Sequence, residues 1–173
     1  MGETMRTRRE AMKGSIARLA FLWVVVVFSC PVGEATAGDV AIVVSNDNAT
    51  DELSFKELVK VFRQERQYWQ GGARIYLIMR EAGTQEKQMV LERIYKMEDQ
   101  DLKKFWLGKL YRGEIASFPQ TLSSNEAIKR FVRQAPNAIG FIDAASVDDR
   151  VKVLRIDGKL PGEGGYALGE SSL

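Results

Sequence analysis

Five consecutive apolar residues, Ile75 to Met79, lie in the stretch that most limits what this chain can fold into. A strand with one wet face alternates apolar and polar side chains. An unbroken apolar run of strand length therefore predicts a strand covered on both faces, central in its sheet. Upstream, Ser54 and Glu57 stand in capping-box register, so each can satisfy a backbone N–H of the other's turn. Phe55, Leu58, Val59 and Phe62 then recur at i, i+3, i+4 and i+7, which predicts a helix with those four on its buried stripe. An aromatic corner at Tyr68 and Trp69 and a Gly71-Gly72 turn connect that helix to the strand. Gly83 and Thr84 then turn the chain into a helix over about 86–96.

The rest of the chain keeps this alternation. Val40 to Val44 is a β-branched run closed by Asn46-Asp47-Asn48, which predicts a first strand. Asp99 is placed to cap a helix through about Arg112 that buries Leu102, Phe105, Trp106 and Leu110, with Gly113 ending it. Ser123 and Glu126 form a second capping-box pattern ahead of Ile128, Phe131, Val132 and Ala135, and Pro136 stops that helix. Ala138 to Ile142 and Val151 to Ile156 read as two further strands. Strands alternating with helices predict an α/β fold with at least four of each. Residues 158–173 carry five glycines and a proline with few large apolar groups, which predicts a flexible tail.

The first 37 residues read differently. Five basic side chains, from Arg6 to Arg18, precede the apolar run Leu19 to Phe28, and Ala35-Thr36-Ala37 follows with the small residues of a cleavage site. This is the layout of a secretory signal, with cleavage near Ala37 and a periplasmic or secreted product. The run is shorter than the roughly 20 residues of a membrane span, and no later segment resembles one. An uncleaved anchor is the rival reading, and Cys30 leaves lipidation open despite the bulky Phe28 and Pro31 around it. Residues 38–157 then form the folded lobe. Removing residues 1–37 takes five Lys/Arg and three Asp/Glu from totals of 25 and 23, which leaves 20 of each. A balanced surface argues against nucleic acid as a partner.

The inventory of reactive side chains is short. The chain has no histidine, and its one cysteine is Cys30, so His-ligated zinc sites, Ser-His-Asp triads and Cys-His pairs are excluded. Neither Gly-rich nucleotide fingerprint occurs, and nothing calls for a cofactor. The acidic groups Glu98-Asp99-Asp101 and Asp148-Asp149 fit helix-start and turn roles. One segment suits a small anion: Arg80-Glu81-Ala82-Gly83-Thr84, where the apolar strand hands over to a helix. Free N–H groups, a hydroxyl and a guanidinium there could together hold an oxyanion. The plainer alternative is that Thr84 caps its helix and Gly83 makes the turn.

The pattern L-S-x-x-E-L-x-x-V-F, Trp69 with the glycine pair, and I-Y-L-I-M-R resembles the PstS-like phosphate-binding proteins of phosphate ABC transporters. So do Phe105-Trp106, Gly113, Pro119, Ser123, Glu126, Val132 and P-N-A-I-G-F, so that the likeness covers nearly all of residues 40–155. The resemblance implies a single periplasmic-binding-protein-like lobe, a mixed sheet of four to five strands with helices on both faces; the short inventory of reactive side chains argues against an enzyme. It also implies phosphate or a similar anion held by Arg80, Gly83, Thr84 and Gln85. Relatives hold the anion with R-x-D-G-S-G-T; here the segment is two residues shorter, Ala82 replaces the Ser, and no Asp matches. Three charge-assisted contacts of about 1.5 to 3 kcal/mol each, less an association cost of at least about 4, imply weak binding. An ABC transporter, a sensor or a second copy would cover the open face.

Overall fold

The computed structural model describes residues 38–169. The predicted signal segment, residues 1–37, lies outside them, as do residues 170–173.

Strands β1 (Val40–Val44), β3 (Tyr76–Arg80), β4 (Gln120–Leu122), β5 (Ala138–Asp143) and β6 (Lys152–Val153) form one mixed sheet in the order β4-β3-β5-β1-β6. β3 runs parallel to both β4 and β5, while β1 is antiparallel to β5 and to β6. The run Ile75–Met79 is an inner strand as predicted, but β5 holds the centre. β5 has one more residue of continuous burial, and it is β1, paired from Val40↔Asp143 to Val44↔Ile139, that fills its other edge. A separate pair, β2 (Glu52–Leu53) and β7 (Arg155–Ile156), is parallel.

Successive side chains of a strand point to opposite faces, and each face of this sheet carries its own core. Val40, Ile42, Val44, Leu77, Met79, Ile139 and Phe141 face helices α1 (Phe55–Phe62), α2 (Gln85–Val90) and α3 (Asp99–Tyr111). Ala41, Val43, Ile78 and Ile142 face Ile128 and Val132 of α4 (Asn125–Gln134). The contact with α4 is close because Gly140 lies beneath it: a Cβ there would come within 2.9 Å of Ile128 Cγ2.

The Ser54–Glu57 capping box forms, with the Glu57 carboxylate accepting the Ser54 N–H at 3.0 Å and Ser54 Oγ accepting the Glu57 N–H. The stripe of α1 is rotated from the predicted one. Leu58, Val61 and Phe62 are fully buried, while Phe55 and Val59 pack only at the margin. The helix after β3 starts at Gln85, ends its regular part at Val90 and continues as one π-helical turn, Leu91–Tyr95. That turn directs both Ile94 and Tyr95 inward, and the Tyr95 hydroxyl donates to Phe62 O at 2.6 Å.

Two caps differ from prediction. Ser124, not Ser123, caps α4 by accepting the Ala127 N–H at 3.1 Å; either serine has the chemistry, and burying Ile128 and Val132 sets the phase. Asp99 is the first residue of α3 rather than its cap, because its carboxylate is bound to Lys87 at 2.6 Å.

The Gly-rich segment is not a loose tail over residues 158–169. Tyr166 and Leu168, two residues apart, are buried in the α1/α3 core. The Tyr166 hydroxyl donates to Val40 O at 2.9 Å, and the Val40 N–H donates to Leu168 O at 3.0 Å, so the segment covers the start of β1. A composition count misses this, since two well-placed side chains anchor a dozen residues. Substituting Leu168→Ala should cost about 2 to 5 kcal/mol by leaving a cavity. Urea denaturation followed by circular dichroism reads this loss, and an unchanged midpoint would show the segment undocked.

An ion cluster ties α4 to the turn after β5. Lys129, almost fully buried, bonds Asp148 and Glu126 and donates to Ser146 O, and Arg150 bonds the same two carboxylates. Hydrogen bonds from Arg150 and Lys129 hold Asp148 well below the usual carboxylate range, and one from Lys129 lowers Glu126. Both carboxylates are depressed in the fold, so the stability they add is present above their ordinary values of 3.8 and 4.5 and is lost as pH falls below them. Asp148→Asn should therefore destabilise the protein at neutral pH while flattening its acid unfolding curve, read by circular dichroism against pH.

Candidate functional site

The strand directions bring three chain segments to one end of the sheet. β3 and β5 finish there, and β1, antiparallel to β5, begins there. Between them and α2 lies a cleft of about 260 Å³ lined by Gly38, Asp39, Gln85, Glu86 and Asp143.

Arg80 closes β3 on the face shared with Ile78, and only 6% of it is exposed. Among the described residues its one ionic partner is Glu86, with Nη2 3.6 Å from Oε1, and Nε and Nη1 are buried with no hydrogen-bond partner. A guanidinium carries five N–H donors, and burying a charge is costly unless it is both paired and hydrogen-bonded. Arg80 is paired but under-bonded.

The neighbouring residues take separate roles. Gly83 adopts φ +83°, a conformation that favours glycine, with open space where a Cβ would stand. The Thr84 hydroxyl accepts the Lys87 N–H and donates to Glu81 O, both at 3.3 Å, so it serves the turn and the cap of α2. Gln85 lines the cleft. Of the four residues expected to gather on an anion, the structure places Gln85 at the cleft and Arg80 behind Glu86. Gly83 and Thr84 shape the approach to α2.

Three residues at the site were missed: Asp39, Glu86 and Asp143. A signal for two of them existed, since Asp39 and Asp143 flank the two apolar strands, and antiparallel pairing of those strands sets their ends side by side. Asp39 Oδ2 accepts the Gly162 N–H at 2.7 Å, and Asp143 Oδ1 accepts the Ala145 N–H at 3.1 Å. Among the described residues the lining is thus acidic with no cation, and repels a free anion while accepting hydrogen bonds from one that carries a proton. Among the described residues, no cluster of three acidic or other ligating groups could hold a metal ion, and no helix is long and apolar enough to cross a membrane.

No protein-family model and no curated protein matches the chain. Solved structures do. An ABC-type phosphate transport receptor from Vibrio cholerae superposes with a TM-score of 0.61 at 20% identity, over 77% of this chain and 55% of that one. A putative phosphate ABC transporter substrate-binding protein from Clostridium perfringens, solved with bound phosphate, gives 0.58 at 20%, over 73% and 49%. PstS from Borrelia burgdorferi gives 0.57 at 16%, over 75% and 53%. The chain spans about half the length of each of these proteins. It has the fold of a short PstS-like lobe, an α/β periplasmic-binding-protein architecture.

Proposed function

We propose that this protein is a solute-binding lobe for phosphate or a closely similar oxyanion, exported after removal of the segment ending near Ala37, and not an enzyme. The observation that carries the reading is Arg80: among the described residues, a buried guanidinium with two unpartnered nitrogens at the end of an inner strand, met by the Glu86 carboxylate alone at 3.6 Å. An oxyanion entering beside Gln85 would displace Glu86 and supply the missing acceptors. The names of the structural neighbours, phosphate receptors of ABC transporters, support the same class of ligand.

The acidic lining adds a selection rule. Asp39, Glu86 and Asp143 tolerate an anion only where it donates a hydrogen bond to them. A phosphate group keeps a proton near neutrality, its second pKa being about 6, whereas sulfate has none to give. Affinity is modest because the ligand exchanges for an internal carboxylate instead of filling an empty site; millimolar binding corresponds to about 4 kcal/mol. An ABC transporter, a sensor or a second copy of the chain would cover the open side and raise that value.

Titration calorimetry with phosphate and with sulfate tests this. Phosphate should bind in the millimolar range and sulfate at least about tenfold more weakly. Glu86→Gln should tighten phosphate severalfold by removing the internal competitor, and Arg80→Leu should abolish binding. No heat with phosphate at 10-millimolar scale in either the native protein or the Glu86→Gln variant would remove the proposal.

One observation favours a second reading, a ligand-free interaction module that keeps the fold: Glu86 already stands beside Arg80, and the cleft lining is anionic. A stable protein partner whose capture survives Arg80→Leu combined with Thr84→Ala would decide for it.

A further inference from the structure

A second cavity lies on the opposite face of the sheet from Arg80. It has a volume of about 220 Å³ and sits between the first half of α3, the start of α2 and the segment leading into β4. Met79, Leu102 and Trp106, all deeply buried, form its floor, and Phe118 and Pro119 form a half-open wall. This volume is roughly that of seven water molecules and below the roughly 300 Å³ at which typical pockets begin. Its occupant is therefore small.

Three charged groups stand at one side of this apolar space. Lys87 is 8% exposed, and its Nζ lies 2.6 Å from Asp99 Oδ1. Asp99 Oδ2 is also 3.6 Å from the exposed Lys103. Two ammonium groups share one carboxylate, leaving the polar end with a net positive charge. An ammonium has three N–H donors, and among the described residues Asp99 is the one carboxylate that pairs with that of Lys87. A neutral apolar guest would leave those donors unused, and a cation would be repelled.

We propose that this cavity binds a small amphiphilic carboxylate, an aromatic or branched apolar body carrying one carboxylate. The ring or branched chain lies on Met79, Leu102 and Trp106, and the carboxylate accepts from Lys87 with Lys103 at the mouth. The site is independent of the cleft at Arg80, because Met79 and Arg80, adjacent on β3, point to opposite faces.

The test uses 4-fluorophenylacetate as probe, followed by fluorine NMR on the full protein, with the matching neutral alcohol and the matching amine as comparison arms. The carboxylate should show saturable binding in the millimolar range, the alcohol at least about fivefold weaker binding, and the amine none. Thr121 lines the cavity from the exposed strand β4, so Thr121→Phe fills the space without touching the Lys87–Asp99 pair and should weaken the carboxylate at least tenfold. Lys103→Gln should weaken it about twofold. Equal binding of acid and alcohol, undiminished binding to the Thr121→Phe protein, or displacement of the probe by inorganic phosphate would each overturn the proposal.

Discussion

The antiparallel pairing of β1 with β5 is the constraint on which the rest of the molecule depends. Each strand is apolar on both faces, so each supplies side chains to two cores at once. A slip of one residue in their register would exchange the two sets, placing Ala41 and Val43 where Ile42 and Val44 fill space, and both cores would fail together. The same register fixes the chemistry at the strand ends. With Val40 opposite Asp143, the carboxylates of Asp39 and Asp143 share one rim of the sheet and make that rim acidic.

Within that frame, two consecutive residues of α2 serve opposite sides of the sheet. Glu86 reaches back to Arg80, and Lys87 reaches to Asp99 of α3. The pair in the second direction is compact, and a hydrogen bond from Lys87 lowers the Asp99 carboxyl below its usual range. The pair in the first direction is longer and leaves two guanidinium nitrogens unmatched. A short pair fixes an element in place, whereas a loose one leaves room for exchange. By geometry alone, the first turn of α2 is anchored at Lys87 and adaptable at Glu86.

Much of this architecture was legible because local patterns and tertiary packing agree. The uninterrupted run Ile75–Met79, the Ser54–Glu57 box and the Ile128/Val132 spacing each report burial directly, and each element appears. Legibility failed where two residues of equal chemistry compete or where a partner lies far away in sequence. Ser123 and Ser124 are interchangeable as caps until packing chooses between them. Asp99 could have capped its helix, but Lys87, twelve positions earlier, claims its carboxylate. The site was half legible for the same reason: Arg80 and Gln85 belong to a contiguous motif, while Asp39 and Asp143 meet only through sheet pairing across about a hundred residues. The docking of Tyr166 and Leu168 was hidden by the glycines around them, which dilute the apolar signal without weakening the contacts themselves.

That docking has a bearing on how the chain reaches its native state. The Val40 N–H donates to Leu168 O on one side of β1, and β5 pairs along the other, so the first strand has both its neighbours late in the sequence. Contacts of such long range carry a large loop-closure cost and form slowly. The first strand is therefore completed only once residues 166–168 have docked, which places its closure late in folding.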